Sequence, residues 1–308
     1  MASNLVLTPG GFRHPSLVHR VEAGHAVHFS EGKARLKNLA TNAIIDVPEH
    51  KVQPGDVPGF GSGWIVDAFW QNATGNPVTS FKTTWTVPPA PATSDGQTIF
   101  LFNGIDPADP SQAILQPVLQ WGPSHAGGGA FWSVASWYVL GNGQAFVTAL
   151  VNVNPGDVVV GVMTLTGQAN GLFSYQSEFQ GIPGTELPVE NVAELVWCNE
   201  TLEAYSITAC SDYPATDLTA MQSIKSSDGK HNAGGAMDPA KPSDGLWTTR
   251  GGGHRFGSGW RSGSVLSESD VPYSLAGDRT VHRDSVRGDA GWRRHRNCER
   301  PHCYHSAA

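Results

Sequence analysis

Cysteine is scarce in this chain. Four of its 308 residues are Cys, at positions 198, 210, 298 and 303, too few for a disulfide-built scaffold. Charge is scarce too: Asp, Glu, Lys and Arg make up 15%, and the formal net charge of -7 gives no reason to expect nucleic acid as a partner. No apolar run approaches the roughly 20 residues that cross a bilayer as a helix, so no membrane is expected either. The opening MASNLVLTPGGFRHPSLVH has no basic stretch leading into a long apolar one, the form of a secretory signal. The chain therefore reads as cytoplasmic unless its N-terminus is incomplete. Two glycosylation tripeptides, Asn72-Ala-Thr and Asn199-Glu-Thr, matter only if the chain is secreted. Helical periodicity is almost missing as well.

What the chain has in abundance is turn punctuation and short apolar stretches. Gly (36) and Pro (21) separate segments such as WIVDAFW, SFKTTWTV, TIFLFNG, AILQPVLQW, AFWSVASWYVL, QAFVTALVNV, DVVVGVMTLT, LFSYQSEF and ELVWCNETLEAYSIT. Strands at this spacing predict an all-β fold, an antiparallel β-sandwich or jelly roll. TDLTAMQSIKSSDG reads as one short helix or one further strand. Three regions are expected: a basic, His-containing extension over 1–57, the sandwich over 58–243, and a tail over 244–308. Both end regions are expected to be irregular and peripheral. In the tail, lysine is gone and ten of the thirteen arginines are crowded among Gly, Ser and His, the mark of a disordered segment or a misread reading frame.

Residues able to do chemistry are few. His295, Cys298, His302, Cys303 and His305 match no standard zinc spacing, so no metal is expected. Ser124-His125 with nearby Asp residues is no triad, which geometry alone defines. Gly127–Gly129 reads as a hairpin loop, with a flap as the functional version. More informative is AILQPVLQW. On an extended strand Ile114, Gln116, Val118 and Gln120 share one face, with Leu115, Leu119 and Trp121 on the other. A mid-strand amide must find partners or lose its solvation. Pro117 removes a ladder donor and predicts a bulge or an edge. A merely solvated face accounts for both amides as well as a site does. In ELVWCNETLEAY, Glu194, Cys198 and Glu200 share a face and Trp197 looks away. Two nearby carboxylates suit acid/base work, and they equally suit an exposed face.

The order TWTVPPA, then GID at 104–106, AILQ at 113–116, SWY at 136–138, VNPGD at 153–157 and AELVWCNE at 193–200 resembles the glutamic peptidases called eqolisins. The resemblance covers roughly 80–209. It implies a concanavalin-like sandwich and an acid endopeptidase with no cofactor, acting on polypeptide. By the family pattern the catalytic dyad maps to Gln116 and Glu200, with Glu194 as the alternate. Both would project into one concave cleft: the glutamate activates water and then protonates the leaving amine, while the glutamine amide stabilises the oxyanion. Phe102, Asp106, Gln120 and Trp137 would line the substrate site. Members of the family are typically secreted.

Departures accompany the matches. Phe102 and Asn103 stand where the family usually has Trp and Val before G-I-D, and Ala135 and Val139 replace the carboxylates that flank its A-W-Y strand. Aligning on Ala-Glu puts Cys198, not Glu200, at the catalytic place. The alternative is a non-catalytic carbohydrate-binding module of the same sandwich, with Trp121, Trp132, Trp137 and Trp197 as stacking platforms and Gln116, Gln120 and Asn103 reading hydroxyls on a glycan. Core packing is the ordinary role of such tryptophans.

Overall fold

A computed structural model describes residues 5–48, 63–216 and 218–228, and three short strands beyond them. The strands are β1 (Val6–Thr8), β2 (Gly11–Arg13), β3 (Val18–Arg20), β4 (His25–Ser30), β5 (Lys33–Asn38), β6 (Ile44–Ile45), β7 (Trp64–Gln71), β8 (Ser80–Thr86), β9 (Thr98–Pro107), β10 (Ala113–Trp121), β11 (Trp132–Leu140), β12 (Ala145–Val147), β13 (Val151–Asn152), β14 (Val158–Ala169), β15 (Leu172–Phe179), β16 (Leu187–Val192), β17 (Leu195–Tyr205) and β18 (Leu218–Ser227). The short strands beyond are β19 (Trp247–Thr249), β20 (Ala290–Arg294) and β21 (Tyr304–Ala307). The fold is all-β, and the described residues contain no α-helix. TDLTAMQSIKSSDG is strand β18.

Two sheets face each other. The first runs β19-β7-β17-β9-β10-β11-β12-β3, with β13 beside β11; the second runs β21-β20-β18-β8-β14-β15-β16-β4-β5-β6. Alternation explains the second sheet: SFKTTWT in β8 and LFSYQSEF in β15 bury every other residue, turning Phe81, Trp85, Phe173, Tyr175 and Phe179 inward. Asn170-Gly171 joins β14 to β15, both at positive φ (54° and 77°), as a tight hairpin with the right-handed strand twist requires.

The centre of the first sheet does not alternate. Every residue of β9, β10 and β11 is buried. One face is covered by the second sheet. The other, which an antiparallel sandwich usually leaves to water, carries a separate apolar cluster of Phe100, Phe102, Ile114, Val118, Trp137 and Val139. Val6, Leu7, Val18 and Trp64 pack into that cluster from outside the sheet's centre.

Residues 5–48, expected to be an irregular extension, form six strands instead. β3 pairs in parallel with β12 at the end of the first sheet, and β4 pairs in parallel with β16 in the second. The ion pairs Lys37–Glu190 (2.9 Å) and His28–Glu190 (3.0 Å) tie β5 and β4 to β16. Pro117 produces neither a bulge nor an edge. β10 lies between β9 and β11, its register with β11 is unbroken, and only the ladder to β9 lapses at Gln116 and Pro117, where the proline has no N–H to give. Apart from β19, β20 and β21, the tail from 244 onward lies outside the described residues, so its disorder or misreading lies outside them too. Cys210 is disulfide-bonded, and not to Cys198, which is free and buried.

Candidate functional site

Register decides which side chains can meet. Asn199 pairs with Gly104 and Glu200 with Asn103 across β17 and β9, while Leu115–Ile105 and Val118–Phe102 bracket Gln116 and Pro117 opposite Gly104 and Asn103. Gln116 pairs with Trp137 on β11. Directly paired residues share a face, so Gln116, Gly104, Asn199 and Trp137 form one row on the outer face. Glu200, Asn103, Pro117 and Ser136 form the neighbouring row on the inner face. The structure therefore does not bring Gln116 and Glu200 together: they project from opposite faces of the sheet, with β9 between their strands.

The outer row is a line of buried polar groups beside the apolar cluster of that face. Gln116 is 1% exposed, and its Oε1 has no hydrogen-bond partner among the described residues. Gly104 beside it is closely packed, since a Cβ there would lie 2.8 Å from both Asn199 Oδ1 and Ile114 Cδ1, and only glycine fits without a shift. Asn199 Nδ2 donates to Asp106 Oδ2 at 2.9 Å, so an amide holds the carboxylate one row along. Trp197 sits at the rim against Phe69, with ring centroids 5.4 Å apart, and its Nε1 donates to the Ala108 carbonyl. Of the sequence-predicted substrate residues, Phe102, Asp106, Gln120 and Trp137 all lie on this outer face by register, and all four are buried. Gln120 is spent on the glycine loop: its Nε2 donates to the Gly122 and Gly127 carbonyls at 2.7 and 3.0 Å, and its Oε1 accepts from Ser124.

Glu200 belongs to the space between the sheets. Thr83 on β8 donates to its Oε1, Oε2 has no partner among the described residues, and Asn103 Nδ2 reaches the Gly161 carbonyl across the same gap. Burial pushes the Glu200 carboxyl well above the usual range, and the Thr83 hydroxyl offsets only part of that. Cys198 shares this inner face, and burial raises its thiol in the same way, which leaves it a poor nucleophile. Glu194 stands just before β17, half-buried.

A second outer-face carboxylate lies further along β17. Glu203 pairs with Phe100, which also pairs with Gln120, so a glutamine and a glutamate flank one residue, the buried Phe100. Glu203 accepts from the Gly10 N–H at 2.8 Å and from the Tyr205 hydroxyl. Burial raises its carboxyl to about 7, and these donors together with Arg13 and Trp64 keep it from rising further. Arg13, fully buried, is lowered to about 10 by the same desolvation. Sequence reasoning missed Asn199, Glu203 and Arg13. Asn199 was adjacent to the chosen glutamate, but only register shows which of the two looks outward.

Structural comparison finds a distant relationship. The chain is similar to scytalidoglutamic peptidase with a peptide-based transition-state analogue (16% identity, TM-score 0.35, covering 55% of this chain and 81% of that one). It is also similar to SCP-B, a member of the eqolisin family of peptidases, in complex with the tripeptide Ala-Ile-His (14% identity, TM-score 0.32, covering 55% and 80%). No protein-family model matches the chain, and no curated protein matches it.

The stacking platforms of the carbohydrate reading are largely occupied. Trp121 and Trp132 pack against each other in the core between the sheets, and Trp137 is fully buried in the floor. Trp197 alone of the four keeps partial exposure. Among the described residues, no group of three or more His, Cys, Asp or Glu side chains is arranged to hold a metal ion. The His/Cys cluster near the end of the chain lies outside them.

Proposed function

We propose that this chain is a polypeptide-binding sandwich whose outer face takes an extended strand, and that the Gln116/Glu200 dyad is not assembled on it. One observation carries this reading: the Gln116 amide oxygen is buried in an apolar floor without a partner. Such a group costs about 1–3 kcal/mol unless a donor reaches it, and backbone N–H groups are the donors an extended peptide offers in series. Activating a water requires a carboxylate within one water of the scissile bond, and the Glu200 carboxyl, on the opposite face of the sheet from Gln116, is not so disposed.

A labelled synthetic peptide of residues 5–13, a sequence this face already accommodates, is the probe. Full-length protein is expected to bind it, and Gln116→Ala to weaken binding roughly tenfold. Unfolded protein incubated with the chain between about pH 2 and 7 is expected to stay intact, the range in which a glutamate-based peptidase would work. Cleavage lost in both Gln116→Ala and Glu200→Gln would instead establish an acid endopeptidase using that dyad. Glycan-array binding lost in Trp197→Ala, with no peptide binding, would favour the carbohydrate module.

A further inference from the structure

The fold treats the two Asn-x-Thr tripeptides in opposite ways. Asn199-Glu-Thr lies within β17, between β9 and β7 in the first sheet. Asn199 is 1% exposed, its Nδ2 donates to Asp106, and a Cβ on Gly104 would already come within 2.8 Å of its Oδ1. No sugar ring fits there. Asn72-Ala-Thr instead follows β7, which ends at Gln71, in the loop that leads to β8 at Ser80. Gln71, Ala73 and Gly75 are exposed, and a Cβ at Gly75 would meet nothing within 4 Å. The Asn72 N–H donates to the Val196 carbonyl at 2.7 Å, which anchors the first residue of the tripeptide to β17. Thr74 Oγ1 donates to Asn72 Oδ1 at 2.8 Å, and a hydroxyl so placed draws electron density toward the amide oxygen and makes an Nδ2 hydrogen easier to lose. Asn72 Nδ2 donates to the Asn76 carbonyl at 2.6 Å. An amide nitrogen carries two hydrogens, so one can be replaced while the other keeps that bond.

We propose that Asn72 is an acceptor of N-linked oligosaccharide and that Asn199 is not. The donor is an oligosaccharide carried on a lipid pyrophosphate. In the transfer Asn72 Nδ2 forms a bond to the anomeric carbon of the first sugar, and the bond from that carbon to the pyrophosphate oxygen breaks. The pyrophosphate leaves with the electron pair, and Nδ2 gives up one proton. Transfer acts on a chain that has not finished folding, so folding is the filter between the two sites. A sugar on Asn72 stays outside both ladders, whereas one on Asn199 holds β17 away from β9.

The reaction belongs to the secretory route, so the test expresses the full-length chain behind a cleavable leader in a eukaryotic host. Occupancy of both asparagines is read by mass spectrometry in the leader-cleaved protein, secreted and cell-retained. In the secreted chain, occupancy of Asn72 is expected to exceed that of Asn199 by roughly tenfold or more. Asn72→Gln and Thr74→Ala are each expected to abolish the glycosidase-sensitive shift in mobility, while Thr201→Val, which takes only the hydroxyl from the other tripeptide, leaves it in place. If Thr201→Val does not fold, the two occupancies in the parent decide. Glycan on Asn199 that is confined to the retained fraction supports folding as the filter. An unmodified Asn72 in both fractions overturns the proposal. So does secreted protein that carries as much glycan on Asn199 as on Asn72.

Discussion

Trp85→Ala is expected to remove about 3–5 kcal/mol of stability, a large part of what a domain has in total. Trp85 lies in β8, is 1% exposed and fills the space between the two sheets, its ring edge-on to Phe179 with centroids 5.7 Å apart. The chain has adapted around that ring. On β14, a Cβ built at Gly161 would fall 2.8 Å from the Trp85 Cη2, 2.8 Å from Pro117 Cγ and 2.5 Å from Asn103 Oδ1. The layers meet closely here, and glycine is the residue that permits it. An alanine at 85 leaves a void bounded by β-sheet backbone that cannot collapse. Urea unfolding should show a lower midpoint at unchanged slope. A loss below about 1 kcal/mol would mean that the layers close over the gap and that this contact is not a packed core.

The same region shows what sequence can and cannot deliver. Strands such as SFKTTWTV and LFSYQSEF announce themselves by alternation, since half of their residues face a core that exists whatever their neighbours are. β9, β10 and β11 were legible as strands, but not as strands buried on both faces, because what covers the outer face comes from residues about a hundred positions earlier. The N-terminal strands were illegible for a related reason. HAVHFS and KARLKN carry His, Lys and Arg that look like a solvated tail until Glu190 on β16 is placed beside them. Partnership between such short segments is a tertiary fact.

The candidate site was legible to within one residue, and one residue is the distance that matters in a sheet. Motif order selected Gln116, Asp106 and Glu200, the neighbour of Asn199, and all lie on adjacent strands around β9. Which of Asn199 and Glu200 lies on the outer face depends on the pairing of β17 with β9, and that pairing slips between Leu195 and Trp197. A slip of one flips every side chain beyond it. The W-x-x-E spacing preserves a carboxylate in the alignment and carries no information on that slip. Asn199 therefore sits beside Asp106, while Glu200 bonds to Thr83 between the sheets.

The other large effect concerns pH and is expected to show as acid stabilisation. Burial raises the Glu203 carboxyl from the ordinary 4.5 to about 7, so the folded chain keeps that proton over a range in which the unfolded chain has released it. The stability this group contributes is complete below about pH 4.5, drains as pH rises through about 7, and amounts to about 3 kcal/mol. Glu200, also raised by burial, pulls the same way. Two histidines oppose them. His19 and His125 are held below 6.5, first of all by burial, so their contribution is present above that value and is lost as pH falls. Asp212 adds its own loss only in stronger acid: burial works against its ionisation, but Thr93, Thr208 and Ala209 donate to it and draw it down to about 2. The Glu203 contribution is isolated by comparing the parent with Glu203→Gln, which keeps the shape and cannot ionise. Urea unfolding of both between pH 4 and 8 should give curves that converge toward acid and separate by about 3 kcal/mol toward pH 8, with the glutamine variant the more stable there. Parallel curves would mean that Glu203 titrates as an exposed carboxylate, and hence that the Val6–Arg13 hairpin does not seal it from water.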